Sequence, residues 1–357
     1  MQPLVFLTGG GTAGHVTPNL ALVPLLSQKG YRIGYIGRKN SIEEQLAKGA
    51  ALPFYPIHAG RLHRDFNLEN WVSPLQNLWG TAQAARLIRR EKPAVIFCKG
   101  GFVSVPVALA GHMQGVPVIL HESDMTPGLA NRLCLPAADV VCTGFEETLG
   151  YLPHKKAMYT GTPVRGELLG GSAEEGRRIT GLQGRRPVVL IMGGSSGAGA
   201  INAVVGPGAA YLTERYQIVH LCGRKQVQGC EPRRGYFPMA YAGKELPHLY
   251  ALADIVVSRA GANALAEILL LKKPNILIPL PKAVSRGDQI LNATSFASKG
   301  YSYVLPQEEL TVKRLRQALD QVYAEREGYR RAMINSKGSE AAKAVLRVIE
   351  RAAAKSK

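Results

Sequence analysis

Twice, half a chain apart, an apolar run opens onto a glycine turn and then a helix start. "VFLTGGGTAGHVTPNLALV" begins at Val5 and "VVLIMGGSSGAGAINAVV" begins at Val188. A repeat of this kind gives each half its own strand, turn and helix nucleus, so two separate sheets are expected. Short apolar runs bounded by glycine or proline fill the rest: YRIGYIG, AVIFCKG, VPVILHE, DVVCTGF, YQIVHLCG, DIVVSRAG and NILIPL. They are continuously apolar and separated by helix-length segments, the pattern of parallel sheets covered on both faces. A chain of 357 residues also exceeds the roughly 150 of one ordinary domain. The expected fold is therefore α/β, two Rossmann-like parallel-sheet domains facing across a cleft. The boundary is expected in the TGTP turn, Thr160–Pro163, giving domains of 1–162 and 163–339. The last segment, SEAAKAVLRVIERAAAKSK, clusters Ala342, Val345, Leu346, Val348 and Ile349 on a basic amphipathic helix that suits packing better than a membrane anchor.

At 46% hydrophobic and 20% charged, the composition is that of a soluble globular protein. Nothing approaches the roughly 18 apolar residues of a spanning helix, and the apolar opening at Leu4–Leu7 is too short for a signal peptide, so a cytosolic chain is expected. The five cysteines (Cys98, Cys134, Cys142, Cys222, Cys230) are odd in number and lack a C-x-x-C, which fits reduced, buried thiols rather than a disulfide framework or a zinc site. A net charge of +18 asks for an anionic partner: nucleic acid, a phosphorylated substrate or an acidic membrane face. The basic excess is spread through both halves and aromatics are only 7%, which argues against nucleic acid.

Gly9, Gly11 and Gly14 fit the G-x-G-x-x-G spacing, in which backbone N–H groups and a helix start favour phosphate. The next strand runs into Arg38 and Lys39 where an NAD site would place an acidic residue. An NADP site stays open on that spacing, but the second loop, Gly193–Ser196, lacks the fingerprint. His15 sits where the loop becomes a helix and serves either to brace the loop or to accept a proton from a hydroxyl. Strand VPVILH delivers His121, Glu122, Ser123 and Asp124 to the carboxyl end of the sheet, and Lys99-Gly100-Gly101 makes a second anion loop on the same rim. In the second half, Ser258, Arg259 and Gly261 precede a helix carrying Glu267, a carboxylate able to accept two hydrogen bonds from a ribose diol. Asp288, Gln289 and Asn292 follow NILIPL and suit sugar hydroxyls. There is no D-x-D and no close histidine spacing, so no metal-bridged diphosphate is expected.

Together GGGTAGHVTPNLAL, KGGFVSVP, HESDMTPGLAN, TGTPVR, GGSSGAGAIN, SRAGANALAEI and DQILNA resemble the MurG family over nearly the whole chain. The resemblance implies a GT-B fold whose first domain takes the acceptor and whose second takes UDP-GlcNAc, with a last helix, 340–357, crossing back to the first. It implies inverting transfer of GlcNAc from UDP to the 4-hydroxyl of the muramoyl sugar on undecaprenyl diphosphate, with no cofactor and no active-site metal. Gly11, Thr12, Gly14, His15, Gly100 and Gly101 then correspond to acceptor diphosphate loops, and Arg165 and Ser195 to donor diphosphate contacts. Glu267 corresponds to the ribose glutamate, Asn263 to a donor contact, and Asp288 and Gln289 to readers of the GlcNAc hydroxyls. His15 is the leading general base, with Glu122 and Asp124 behind it. Two departures stand out: Asp124 replaces an amide of better-known members, and Asn263-Ala264 replaces Leu-Thr.

A membrane-anchored acceptor asks for peripheral attachment at the cytoplasmic face of the cell membrane, to its anionic inner leaflet, near other cell-wall enzymes. In SPLQNLWGTAQAARLIRREKP, the residues Leu75, Leu78, Trp79, Ala82 and Ala85 share one helix face ahead of Arg86, Arg89, Arg90 and Lys92. Such a stripe serves a core as readily as a bilayer, and the tryptophan and basic end favour the bilayer.

Overall fold

The computed structural model describes residues 2–60, 69–194, 198–223 and 230–355. The chain divides into two compact units, Met1–Arg165 with Glu340–Lys357, and Gly166–Ser339. The first holds β1 (Leu4–Thr8), β2 (Arg32–Gly37), β3 (Phe54–Pro56), β4 (Val95–Cys98), β5 (Val118–Glu122), β6 (Val140–Thr143) and β7 (Ala157–Tyr159). All pair in parallel, in the order β3-β2-β1-β4-β5-β6-β7. The second holds β8 (Val188–Met192), β9 (Gln217–Leu221), β10 (Tyr236–Met239), β11 (Ile255–Ser258), β12 (Asn275–Leu277) and β13 (Tyr303–Val304), also parallel, in the order β10-β9-β8-β11-β12-β13. Each order reverses beside its glycine-turn strand, between β1 and β4 and between β8 and β11. Open parallel sheets bind ligands at that crevice.

Alternation along β1 explains the layering. Leu4 and Phe6 feed a core shared with Ala84, Leu87 and Ile88 of α3 (Glu69–Glu91) and Val107 and Ala110 of α4 (Ser104–Met113). Val5 and Leu7 feed the opposite core, with Leu22 and Leu26 of α1 (Thr17–Gln28). Successive strand residues point to opposite faces, so a strand covered on both sides must be apolar throughout. The remaining helices of this unit are α2 (Ile42–Gly49) and α5 (Leu129–Cys134), and those of the second are α6 (Ala173–Thr180), α7 (Gly199–Leu212), α8 (Leu246–Leu252), α9 (Ala262–Leu271), α10 (Asp288–Ser298), α11 (Val312–Ala324) and α12 (Arg326–Ile334).

The final helix, α13 (Ala341–Lys355), lies on the first unit beside α1. Val345, Leu346, Val348 and Ile349 are buried in the same core as Val5 and Leu7, and each such side chain contributes about 1.5–3 kcal/mol relative to exposure. Lys29 and Glu350 pair across this contact at 3.5 Å.

The first unit runs to Arg165, slightly past the expected boundary, because the TGTP turn is held on it. His121 Nε2 donates to the Gly161 carbonyl at 2.9 Å, and a Cβ on Gly144 would come within 2.5 Å of Thr162 Oγ1. Arg165, expected with the second domain, thus closes the first compact unit. All nine apolar runs read from the sequence form strands. The four they miss, β3, β7, β10 and β13, are the outermost strands of the two sheets.

Candidate active site

Both glycine loops of the first unit leave the strands that flank the switch point. Gly11, Gly100 and Gly101 have φ of 89°, 95° and 79°, a backbone region that favours glycine. The loops lie backbone against backbone: a Cβ on Gly101 would sit 2.2 Å from the Gly10 carbonyl. They are held from behind. The Tyr35 hydroxyl donates to the Gly9 carbonyl at 2.7 Å, and Asn19 Nδ2 donates to the Thr8 carbonyl at 3.1 Å. The buried carboxylate of Glu43 accepts from the backbone N–H groups of Gly11 and Arg38, both at 3.3 Å.

In front of the loops is a cavity of about 210 Å³. Gly10, Gly11, Thr12, His15 and Gly101 line it together with Phe102, Val105, Leu129 and Leu133. Two glycine loops and a histidine thus share one space with an apolar wall. His15 ends a single 3-10 turn, Ala13–His15, and its Nδ1 lies 3.1 Å from the Gly10 carbonyl and 3.2 Å from Thr12 Oγ1. A carbonyl only accepts, so the network assigns the proton to Nδ1 and the basic lone pair to Nε2.

At the end of β5, Glu122 is buried and fully engaged. Its oxygens accept from the backbone N–H groups of Asp124 (3.0 Å) and Gly128 (2.9 Å) and from Asn131 Nδ2 (2.8 Å). Burial, with a contribution from Asp124, still holds its carboxyl above the usual range. Lys99 Nζ donates to Ser123 Oγ, and burial pushes this amine down to about 8 although Glu122 and Asp124 pull it up. Burial, with Lys99 nearby, keeps His121 neutral.

In the second unit, β8 leads into Gly194 at φ 87°; Ser195 lies outside the described residues. On the neighbouring strands the loops after β11 and β12 are knitted together. The buried Arg259 donates through Nη1 to the Ile278 and Pro279 carbonyls (2.9 and 3.3 Å) and through Nη2 to Gln307 Oε1 (2.6 Å). Asn292 Nδ2 reaches back to the Ala260 carbonyl at 3.2 Å. Asn263 and Glu267 stand one turn apart on α9, and the Tyr250 hydroxyl donates to Glu267 Oε2 at 2.9 Å. Asp288 and Gln289 open α10, with Asp288 ion-paired to Arg286 at 2.6 Å and Gln289 Oε1 accepting from the Leu280 N–H at 3.1 Å.

Comparison with known proteins agrees with this layout. Residues 5–143 match the Glycosyltransferase family 28 N-terminal domain and 188–348 its C-terminal domain. The UDP-N-acetylglucosamine--N-acetylmuramyl-(pentapeptide) pyrophosphoryl-undecaprenol N-acetylglucosamine transferase of Lachnoclostridium phytofermentans is 49% identical over 97% of this chain and 98% of its own. A protein of the same name from Clostridium botulinum is 46% identical over the same shares. The crystal structure of Acinetobacter baumannii MurG superposes with a TM-score of 0.74 at 25% identity, covering 98% of this chain and 99% of that one. The chain belongs to the MurG family. Its GT-B fold is shared with more distant glycosyltransferases such as CalG4, at a TM-score of 0.70 and 15% identity.

In this MurG-family chain the residues expected at the acceptor loops, Gly11, Thr12, His15 and Gly101, meet at one cavity, and Gly14 belongs to the turn that carries His15. Gly100 faces the Asn131 amide, 3.2 Å from where its Cβ would be. Glu122 and Asp124 belong to the adjoining loop, where Glu122 ties the backbone together. Asn263, Glu267, Asp288 and Gln289 lie on two adjacent loop–helix junctions of the second unit. Four residues escaped the sequence reading of the site: Asn19, Tyr35, Glu43 and the buried amine of Lys99. Asn19 stands inside the quoted TPNLAL, but Glu43 belongs to none of the quoted motifs, and no spacing rule announces a carboxylate that braces a loop from behind.

Proposed function

We propose that this chain transfers GlcNAc from UDP-GlcNAc to the 4-hydroxyl of the muramoyl sugar carried on undecaprenyl diphosphate, inverting the anomeric carbon. The observation that carries this reading is the cavity in which two glycine loops, His15 and an apolar wall converge. A diphosphate next to a hydrocarbon chain asks for that combination of amide donors and apolar surface. The relatives named for this transfer are 46–49% identical over 97% of the chain.

The acceptor diphosphate rests on Gly11, Thr12, Gly14, Gly100 and Gly101, loops already fixed by Tyr35, Asn19 and Glu43, so little ordering cost remains at binding. His15 Nε2 takes the proton of the attacking hydroxyl while the Gly10 carbonyl holds Nδ1–H and keeps the tautomer. Glu122 and Asp124 position the neighbouring loop. On the donor side, Glu267 takes the ribose diol with Tyr250 steadying its carboxylate, Asn263 adds a contact, and Asp288 and Gln289 read the GlcNAc hydroxyls. Charge on the departing UDP is met within the second unit by the start of α7 that follows β8.

The acceptor lipid brings the protein to the anionic cytoplasmic leaflet. Leu75, Leu78 and Trp79 of α3 are 68%, 70% and 61% exposed, so this stripe is turned away from the core, ahead of the exposed Arg86, Arg89 and Arg90. No helix among the described residues is long and apolar enough to cross a membrane.

Turnover of UDP-GlcNAc with a muramoyl-diphosphate lipid tests the reading. His15→Ala is expected to lower kcat about 10²–10⁴-fold with little change in either KM. Glu267→Ala is expected to raise KM for UDP-GlcNAc about tenfold or more, the scale of a lost hydrogen bond to a charged group. A wild-type protein that does not turn over this pair defeats the reaction; turnover untouched by both substitutions defeats the site.

A further inference from the structure

Away from the glycine loops, the end of β9 gathers three buried metal-ligating side chains. His220 and Cys222 are two residues apart and so share one face of the extended chain, and Cys230 returns to them ahead of β10. His220, Cys222 and Cys230 place their ligand atoms within 4.8 Å of one another, all buried. The hydroxyl of Tyr236, the first residue of β10, joins them. It lies 2.9 Å from His220 Nδ1 and within hydrogen-bonding reach of both thiols.

The orientation of the histidine is fixed by a chain of donors with one solution. Asn202 Nδ2 donates to the Cys222 carbonyl at 2.8 Å, so its Oδ1 is the atom that faces His220 Nε2 at 3.0 Å. That oxygen can only accept, so Nε2 carries the proton and the Nδ1 lone pair points at Tyr236 Oη. A histidine whose far N–H is held by a carbonyl oxygen, with two thiols within 4.8 Å of its ring, has the outer-shell arrangement of metal-bound imidazoles.

We propose that His220 Nδ1, Cys222 Sγ and Cys230 Sγ form a structural Zn²⁺ site, with Tyr236 Oη in the fourth position. Two sulfurs and one imidazole match the soft, tetrahedral preference of zinc. Ligand atoms of such a centre stand roughly 3.5–3.8 Å apart given its bond lengths, so side-chain adjustments on the order of 1 Å close the site. Each thiol releases its proton to solvent as its Zn–S bond forms, Tyr236 gives up its hydrogen bond to Nδ1 and binds as the neutral phenol with its proton retained, and the metal then ties Cys230 and the edge strand β10 to β9. None of the residues assigned to UDP-GlcNAc takes part.

The test uses the full-length protein, stripped with a chelator under reducing conditions and then given Zn²⁺ or Co²⁺ alone. The expected result is about one tightly held zinc per chain and, with Co²⁺, intense thiolate-to-metal absorption with the visible bands of a tetrahedral ion. Cys222→Ser and Cys230→Ser should abolish the thiolate absorption, and Asn202→Ala should weaken zinc about 10–100-fold by releasing the imidazole. Wild-type protein that holds no zinc, or whose cobalt spectrum lacks sulfur ligation, overturns the proposal without reference to any variant. A spectrum that survives both cysteine substitutions overturns it equally.

Discussion

Lys99 is the residue at which local electrostatics can be read most directly. Its amine is buried beneath the glycine loops and titrates near 8 in the folded chain, against about 10.5 when unfolded. Between those values the unfolded chain holds a proton that the folded chain has lost, so stability rises as pH increases through this window; below about 8 the full penalty of the buried charge is present. The shift corresponds to about 3 kcal/mol at most. Lys273, also near 8, adds a similar slope, so the informative quantity is the difference between wild type and Lys99→Met. Urea unfolding from pH 7.5 to 10.5 should show the wild type gaining about 1–3 kcal/mol on the variant; parallel curves would rule out a buried ammonium. Gly101 offers a steric counterpart. Gly101→Ala places a Cβ against the Gly10 carbonyl at a positive φ and should lower Tm by several degrees and turnover by more than tenfold, read by calorimetry and the transfer assay. The glycine loops were legible because a strand that turns at positive φ into a helix start asks for glycine there. Lys99 was visible only as the first residue of a loop, since nothing in KGGF says whether its amine reaches solvent or Ser123.

Among the elements, those buried on both faces announced themselves and those at the margins did not. β1, β4, β5, β8 and β11 run apolar until the polar residues at their carboxyl ends (Thr8, His121, Glu122, Ser258), whereas β3, β7, β10 and β13 have two to four residues and a neighbour on one side only, so their sequences carry little pattern. The apolar stripe of α3 shows a further limit. Periodicity identifies a face but not its direction, and here Ala84, Leu87 and Ile88 turn inward while Leu75, Leu78 and Trp79 turn outward. Replacing Leu78 and Trp79 by serine should therefore leave Tm nearly unchanged while reducing co-sedimentation with anionic vesicles; unchanged sedimentation would remove this stripe from the membrane reading. In α13 the converse holds. Ile349→Ala empties a buried position against the sheet and should cost about 2–5 kcal/mol in urea unfolding.

For the molecule as a whole, the net charge of +18 attracts anionic surfaces over long range, and any binding to anionic vesicles should fall as salt rises from 0.05 to 0.5 M because the Debye length shrinks severalfold on the order of 14 to 4 Å. The repeated opening was enough to anticipate two parallel sheets. The family resemblance, not any local pattern, anticipated the return of the tail, because the contacts that hold it join residues some 340 positions apart. Because residues 340–357 complete the unit begun by residues 1–165, the second unit is an insertion within its neighbour's polypeptide. A gene cut after codon 165 would yield an amino-terminal piece with a bare aliphatic furrow where the tail should lie. A synthetic peptide of those last eighteen residues, added in trans, should plug that furrow and restore solubility.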